Sequence, residues 1–242
     1  MLNTIQFKYA KKFLSETYRF TRKYRTFKPF RNLKWLRAWL KSNAEGEYAL
    51  SDRIPWITFP SISFLDDYLK EEMRVFEYGT GGSTLFFIDR KASVTSVEHD
   101  ADWAAKVSQE IDSHLTDWNL LLIDPDLEEN FSEKNFENPH DYVSSDQKYL
   151  NMSFRKYVST IDAYPDSFFD LILIDGRARA SCIIHSIKKV KIGGIIVLDN
   201  SDRVRYSSAM KIMEGDDFDF FDFPGASPYV DFFTRTSAWI KI

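Results

Sequence analysis

The sequence predicts an α/β protein: a doubly wound, mostly parallel sheet with an antiparallel edge, preceded by a basic helical arm. Three observations predict it. Leu120–Ile123, Leu171–Ile174 and Ile195–Leu198 are continuous apolar runs without alternation, as strands buried on both faces of a parallel sheet are. Helical stretches separate these runs, giving strand–helix–strand units with right-handed crossovers. A strand at Arg74-Val-Phe-Glu-Tyr78 then runs into Gly79-Thr-Gly81-Gly82-Ser83-Thr84, a glycine-rich turn that opens a helix.

Residues 1–50 read as the arm and 51–242 as the main domain. Trp35, Leu36, Trp39 and Leu40 recur at helical spacing and place an amphipathic helix over 31–42. Asn43 to Ser51 is polar, holds Gly46, and reads as a linker. Pro55-Trp-Ile-Thr-Phe-Pro60 is a stiff apolar entry, followed by a helix from Ser61 to Lys70. Strands are expected at 74–78, 93–97, 119–123, 169–174 and 194–198, with helices at about 83–90, 102–114, 152–163 and 178–190. Residues 125–150 interrupt the rhythm, and an insertion of that length is a functional lid or a disordered loop. A helix near 203–213 precedes Phe218-Asp-Phe-Phe-Asp-Phe and the segment from Asp231 to Ile242, which alternate as antiparallel edge strands do.

Composition removes several classes of protein. With 44% hydrophobic and 28% charged residues the chain is ordinary for a soluble globular protein, and no run approaches the roughly eighteen apolar residues of a membrane span. The N-terminus lacks the compact apolar core of a secretory signal. The single cysteine, Cys182, cannot form an intrachain disulfide or a Cys-based zinc site; it suits helix packing in a reducing compartment, read as the cytoplasm. Charge is uneven: twelve of the 32 Lys/Arg and one of the 36 Asp/Glu, Glu16, fall in residues 1–43, so that stretch is +11 and the rest −15. Such an arm suits an anionic surface, whether membrane headgroups, a charged glycan or nucleic acid, which makes a membrane-peripheral location the variant reading. The competing readings are helices docked on the domain with a solvated basic face, and a transit peptide, against which the tryptophan periodicity argues.

The second strand ends on Glu98, 21 positions after Glu77. Glycines let the backbone turn tightly and approach a ligand, the helix that follows offers unpaired N–H groups, and a carboxylate about 20 residues on is placed for a ribose diol. These features mark a nucleoside-cofactor site. A dinucleotide site wants a third glycine where Thr84 stands, and Glu77 within the turn would repel a pyrophosphate. That carboxylate suits a cationic ligand, such as the amino group of an amino-acid-bearing nucleoside. A nicotinamide oxidoreductase is therefore the runner-up.

Glu77-Tyr-Gly79-Thr-Gly81-Gly82-Ser83 resembles the first motif of class I S-adenosylmethionine-dependent methyltransferases, and Val97-Glu98 the second. Phe169 to Gly176 resembles the fourth, and Ile192-Gly-Gly-Ile-Ile-Val-Leu-Asp199-Asn200 the fifth-strand motif. The resemblance covers roughly residues 55–242 and is closest to an uncharacterised bacterial branch with Glu-Tyr-Gly-x-Gly-x-Ser-Thr and Asp-Gly-Arg signatures, often linked to glycan or natural-product chemistry. It implies a Rossmann-like seven-stranded sheet with the last strand antiparallel, S-adenosylmethionine as cofactor, and methyl transfer as activity. It also implies roles for residues. Gly79, Thr80, Gly81, Gly82 and Ser83 would form the backbone cradle for the methionine part, with Glu77 holding its amino group directly or through water. Glu98 would take the ribose hydroxyls, His99 and Asp100 would lie near the adenosine, Asp124 by the adenine edge, and Asp175 at the end of the fourth strand would also touch the cofactor.

Methyl transfer is in-line displacement at an already activated carbon, so the protein aligns the acceptor and, for an alcohol, handles its proton. Asp175 and Asp199-Asn200 fall at adjacent strand ends on the ligand side of the sheet. The trio resembles the Mg²⁺ ligands of catechol-type O-methyltransferases, but Ala178 stands where that family has lysine, so the metal is the less favoured reading. The favoured one is metal-free, with Asp175 and Arg177, or Arg177 and Arg179, serving an anionic acceptor. His140-Asp141 in the insertion is a candidate base carried by a lid. Tyr206 and the turn Pro224 to Tyr229 are candidate pocket walls, while His114 and His185 read as structural. The expected reaction is O-methylation of a polar small molecule or glycan. A nucleic-acid methyltransferase using the arm is a further alternative, opposed by the acidic domain and by the absence of an Asn/Asp-Pro-Pro-Tyr/Phe motif, and a catalytically dead fold serving as a scaffold is a third.

Overall fold

In the computed structural model, which describes residues 4–44, 46, 48–111 and 117–242, the parallel core forms where the unalternated apolar runs fall. Strands β1 (Arg74–Tyr78), β2 (Ser93–Glu98) and β3 (Trp118–Leu122) are parallel neighbours. A two-stranded ribbon follows, β4 (Asp126–Leu127) against β5 (Met152–Ser153). β6 (Phe169–Ile174) and β7 (Val190–Leu198) continue the parallel sheet on the other side of β1. β9 (Phe233–Lys241) lies between β7 and β8 (Phe218–Ala226), antiparallel to both. The main sheet thus has seven strands in the order β3-β2-β1-β6-β7-β9-β8. Strand order reverses between β1 and β6, which opens a crevice beyond their carboxyl ends.

Successive residues of the central strands feed opposite cores. Phe76, Tyr78, Ile172, Ile174, Ile196 and Leu198 enter one core, with α8 (Arg155–Ser159) and α9 (Arg179–Ser186). Val75, Leu171, Leu173, Ile195 and Val197 enter the other, under α5 (Phe59–Tyr68) and α6 (Gly82–Ile88). Because both faces are covered, the strands read as unbroken apolar runs.

The arm contributes α1 (Thr4–Lys23), α2 (Pro29–Asn32) and α3 (Leu36–Ser42), with a 3₁₀ turn over Leu33–Trp35. Phe13, Phe20, Phe27 and Trp39 are buried with Phe59, Ala226 and Phe233 in a third cluster. Edge-on ring contacts at 5.0 Å (Phe13–Phe233) and 5.3 Å (Phe13–Trp39) close it. Glu16 is buried there and accepts the Phe233 N–H at 2.8 Å. The expected linker holds α4 (Ala49–Asp52), so the boundary drawn after residue 50 falls inside a helix whose Ala49 and Leu50 are buried.

Several expectations are corrected. The helix expected over 152–163 begins with β5, because Asn151 turns at φ +62° and returns the chain to pair with β4; α8 and a 3₁₀ turn (Thr160–Ala163) follow. The insertion is an ordered segment with buried Tyr142, Val143 and Tyr149. The helix expected near 203–213 breaks into two 3₁₀ turns flanking α10 (Ser207–Met210). Helix α7 (Ala101–Gln109) stops short of the expected end, and His114 lies outside the described residues. Cys182 is fully buried in α9, where burial pushes its thiol well up from its ordinary value, as a packing residue requires.

Candidate active site

The site grows from the turn between β1 and α6. Gly79 makes that turn at φ +97°, and a Cβ there would sit 3.3 Å from the Cα of Gly176, where β6 ends. The Gly79 N–H donates to the Val97 carbonyl at 2.8 Å, and the Asp175 N–H to the Tyr78 carbonyl at 3.2 Å. The ends of β1, β2 and β6 are thereby tied at one level. Thr80 follows, its carbonyl accepting the Trp103 indole N–H at 2.7 Å, while Gly81 faces the same indole. Gly82 corrects an expectation. A Cβ on it would lie 2.1 Å from the Ile54 carbonyl and 2.4 Å from that of Ala49, so this glycine lets α6 dock on residues 49–54 rather than making room for a cofactor.

Glu77 is fully buried. Its carboxylate accepts the hydroxyls of Ser83 at 2.7 Å, Ser96 at 2.6 Å and Thr84, and Thr84 in turn accepts the Gly81 N–H at 3.0 Å. Burial pushes the carboxyl up to about 7 against the opposing pull of those hydroxyls. Direct cofactor binding by Glu77 is corrected by this geometry: none of its surface is exposed, and the group clamps turn, helix and second strand together. Ser83 is likewise turned inward on Glu77.

Glu98 joins the turn to β2. One oxygen accepts the N–H groups of His99 at 2.7 Å and Asp100 at 3.0 Å, and the other accepts that of Thr80 at 3.1 Å. Burial raises its carboxyl, yet the His99 ring and these backbone donors outweigh burial and hold it below the usual carboxylate range. The His99 ring sits within an aromatic enclosure, 4.8 Å from Tyr149, 5.5 Å from Phe154 and 6.1 Å from Tyr157. Asp100 caps α7 through the Trp103 N–H at 3.1 Å and meets Lys148 of the insertion at 3.3 Å. Asp124 is exposed on the same edge, one residue past Ile123, whose N–H donates to the Glu98 carbonyl at 2.7 Å. It is not drawn into the group around the turn.

Among the described residues, Thr80 Oγ1, His99 Nε2, Tyr157 Oη and Arg177 Nε are buried here without a hydrogen-bond partner, while His99 Nδ1 lies 2.6 Å from Glu98 Oε1. Buried polar atoms are normally satisfied, so this concentration fits a polar ligand offering donors and acceptors. Tyr157 was not singled out in the sequence. Its hydroxyl stands 2.0 Å from where a Gly176 Cβ would be, a contact between residues 19 positions apart that no local pattern signals.

Beside the turn, at the ends of β6 and β7, lies a cleft of about 650 Å³ whose walls include Trp56, Asp175, Arg177, Asp199, Arg203 and Arg205. Arg179 is buried beneath it. Its guanidinium lies 2.8 Å from Asp175 Oδ1 and 3.8 Å from Asp199 Oδ2 and donates to the carbonyls of Asp175, Gly176 and Asp199. The expectation that Arg179 binds an acceptor is corrected: its donors are spent on the strand ends. Arg177 faces the cleft, paired with Asp146 at 3.1 Å and set 5.3 Å from the Tyr149 ring. Arg205, not singled out in the sequence, donates to Ser145 and faces the Phe136 ring.

Asp199 is buried and accepts the Thr236 hydroxyl and the Asn200 amide, each at 2.7 Å. Burial and the neighbouring Asp175 push it up to about 7, against Arg179 and Thr236. Burial also raises Asp175, opposed by Arg179, Arg203 and Arg177; its side chain remains 26% exposed. The metal reading of Asp175, Asp199 and Asn200 does not fit. Arg179 bridges the two carboxylates, Asn200 turns its N–H toward Asp199, and no cluster of three or more His, Cys, Asp or Glu among the described residues is arranged to hold an ion. The lid-base expectation is corrected too. Phe136 and residues Val143 to Asp146 of the insertion form one wall of the cleft, but His140 is exposed, its N–H on the Asn138 side chain. Tyr206 and Ser227 line the cleft as expected, and His185 ties the insertion to α9 through Tyr142 at 3.1 Å.

No protein-family model and no curated protein matches the sequence. Solved structures share its fold. The O-methyltransferase TomG from Streptomyces achromogenes, involved in tomaymycin synthesis and solved in complex with SAM, is 12% identical, with 87% of this chain and 98% of that one covered at a TM-score of 0.55. Cofactor-bound Rv0187 from MTB is 17% identical, with 85% and 95% covered at 0.54. A protein from Corynebacterium glutamicum is 10% identical, with 86% and 96% covered at 0.55. The chain has the fold of the class I S-adenosylmethionine-dependent methyltransferases.

Proposed function

We propose that this protein is an S-adenosylmethionine-dependent methyltransferase that methylates a hydroxyl of a polar, anionic small molecule or glycan. The observation that carries the reading is the gathering of unpartnered polar atoms around the Gly79–Thr80 turn and Glu98, directly beside an arginine-lined cleft. When bound, the cofactor supplies a methyl group on a positively charged sulfur. The chain's residues do the rest. Glu98, held ionised, offers its carboxylate to the ribose hydroxyls, and the Gly79–Gly176 contact keeps the turn close to β6. Arg177, Arg203 and Arg205 attract an oxyanion on the acceptor, whereas the −15 carried by residues 44–242 as a whole would otherwise repel it. Asp175, the more exposed of the acidic pair, would take the proton of the acceptor hydroxyl as that oxygen accepts the methyl group the cofactor would supply. Asp199 behind it carries a proton near neutrality, so the pair holds one negative charge.

Calorimetry with S-adenosylmethionine and NAD tests the cofactor. Binding of the first, lost in Glu98→Ala, is expected; binding of NAD alone would reverse the reading in favour of an oxidoreductase. Labelled methyl transfer to matched neutral, carboxylate and phosphate sugars, with RNA as a further acceptor, tests the substrate class.

A further inference from the structure

Helix α1 is apolar on two opposite faces. The inner one, with Phe13 and Phe20, is fully buried against the sheet. On the outer face Phe7, Lys11, Leu14, Tyr18 and Arg22 follow one another at spacings of three and four, which sets them in one stripe. Phe7, Leu14 and Tyr18 are 54%, 58% and 65% exposed. Lys11 lies 4.5 Å over the Phe7 ring, and Arg22 donates to the Tyr18 hydroxyl at 2.9 Å. Beyond α1, Phe30 is 87% and Leu33 42% exposed, interleaved with exposed Arg31, Lys34 and Arg37. Of the twelve cations in residues 1–43 all but Lys12 are exposed, whereas Glu16, their one acid, is buried on the inner face.

We propose that this outer face docks on the surface of an anionic lipid bilayer. A helix whose inner stripe already fills a core has no internal use for a second apolar stripe. Large apolar side chains flanked by Lys and Arg fit the headgroup boundary, where rings and aliphatic chains enter and ammonium and guanidinium groups meet lipid phosphates. Charge complementarity fixes the orientation. The remainder of the chain, at −15, is repelled by the surface that attracts the +11 arm, so the arm is the contacting region. Nucleic acid would account for the cations, but the aliphatic Leu14 and Leu33 in the stripe favour lipid.

Cosedimentation of the full chain with phosphatidylglycerol/phosphatidylcholine vesicles, with phosphatidylcholine vesicles and with single-stranded RNA tests the proposal. Partition onto the anionic vesicles is expected, weakening about tenfold between ~0.1 and ~0.5 M salt. The triple variant F7S/L14S/Y18S should partition about tenfold less. Lys11→Glu with Arg22→Glu should cost about fivefold per altered cation. Both variants leave the inner face intact, and an unchanged thermal unfolding midpoint verifies folding. Equal partition onto neutral vesicles, no partition onto either, or an unaffected triple variant overturns the proposal. RNA binding that displaces the vesicles and ignores the triple variant reassigns the face to nucleic acid.

Discussion

At the ends of β1 and β2 the carboxylates of Glu77 and Glu98 each accept three donors, hydroxyls for the first and backbone N–H groups for the second, with a single donor on Glu98 Oε2. At the neighbouring ends of β6 and β7, Asp175 and Asp199 share a single buried guanidinium and open on a cleft lined by further arginines. The two edges differ in what they fix. Around the turn, buried charge is spent on making one backbone shape, which suits a ligand that is always the same. In the cleft, charge is left facing solvent, which suits a ligand that arrives, reacts and leaves. A carboxylate with three donors costs little to keep and much to remove; two acids sharing one cation form a group with a movable proton.

The largest expected effect falls on the cleft side. Asp175→Asn should lower kcat on the order of a thousandfold while leaving S-adenosylmethionine affinity within about twofold, because a lost base affects the proton step alone. In the intact protein the rate should rise with pH as the acidic pair loses its shared proton. An Asp175→Asn variant that kept its rate would place the chemistry elsewhere. Next comes Gly82→Ala on the turn side. Its methyl would meet two backbone carbonyls, at 2.1 and 2.4 Å, that cannot move without unseating α4. A stability loss of about 3 kcal/mol in denaturant unfolding is expected. If that variant unfolded normally and lost only cofactor affinity, Gly82 would regain the role its motif position suggests.

Legibility follows the range of the interactions. Strands 74–78 and 169–174 match their expected bounds, the second through the apolar run Leu171–Ile174 that burial on both faces leaves, the first because it runs straight into the glycine turn at Gly79. β7 begins at Val190, four residues before the expected start, because Val190 pairs with Phe169 ahead of an irregularity after which Ile195 pairs with Leu171. Glu98 was legible from its spacing to the glycine turn. Glu77's actual duty was not, because its partner Ser96 sits 19 residues away on another strand. Asp199 depends in the same way on Thr236, 37 residues on, and Arg203 and Arg205 reach the cleft on a 3₁₀ turn with no periodic signature.

A smaller effect is read by pH on the turn side, where Glu77 acts with the same sign as the raised Asp199 of the cleft. Glu77 has its folded pKa raised to about 7 from the model-peptide 4.5, so the folded state retains a proton that the unfolded chain has already released. Its stabilising contribution is therefore complete below about 4.5 and declines as pH rises toward about 7, by up to about 1.4 kcal/mol per pH unit. Glu77→Gln should flatten that slope in unfolding measurements from acid to neutral pH, at the cost of one donor–acceptor mismatch among Ser83, Thr84 and Ser96. A slope unchanged by the substitution would show that the carboxylate is not the titrating group.

The smallest effect tests the open side of the comparison. Arg205 is anchored to Ser145 and faces the cleft without an assigned carboxylate partner among the described residues. Arg205→Ala should raise KM for an oxyanion-bearing acceptor about tenfold, the weight of one charge-assisted hydrogen bond, with kcat nearly unchanged. KM for S-adenosylmethionine should stay constant, because the turn is built without this side chain. A neutral analogue of the same acceptor should be indifferent to the substitution. If both acceptors lost equally, Arg205 would be holding the insertion wall in place rather than reading charge, and the contrast between a rigid turn and a charge-reading cleft would narrow to Arg177 and Arg203.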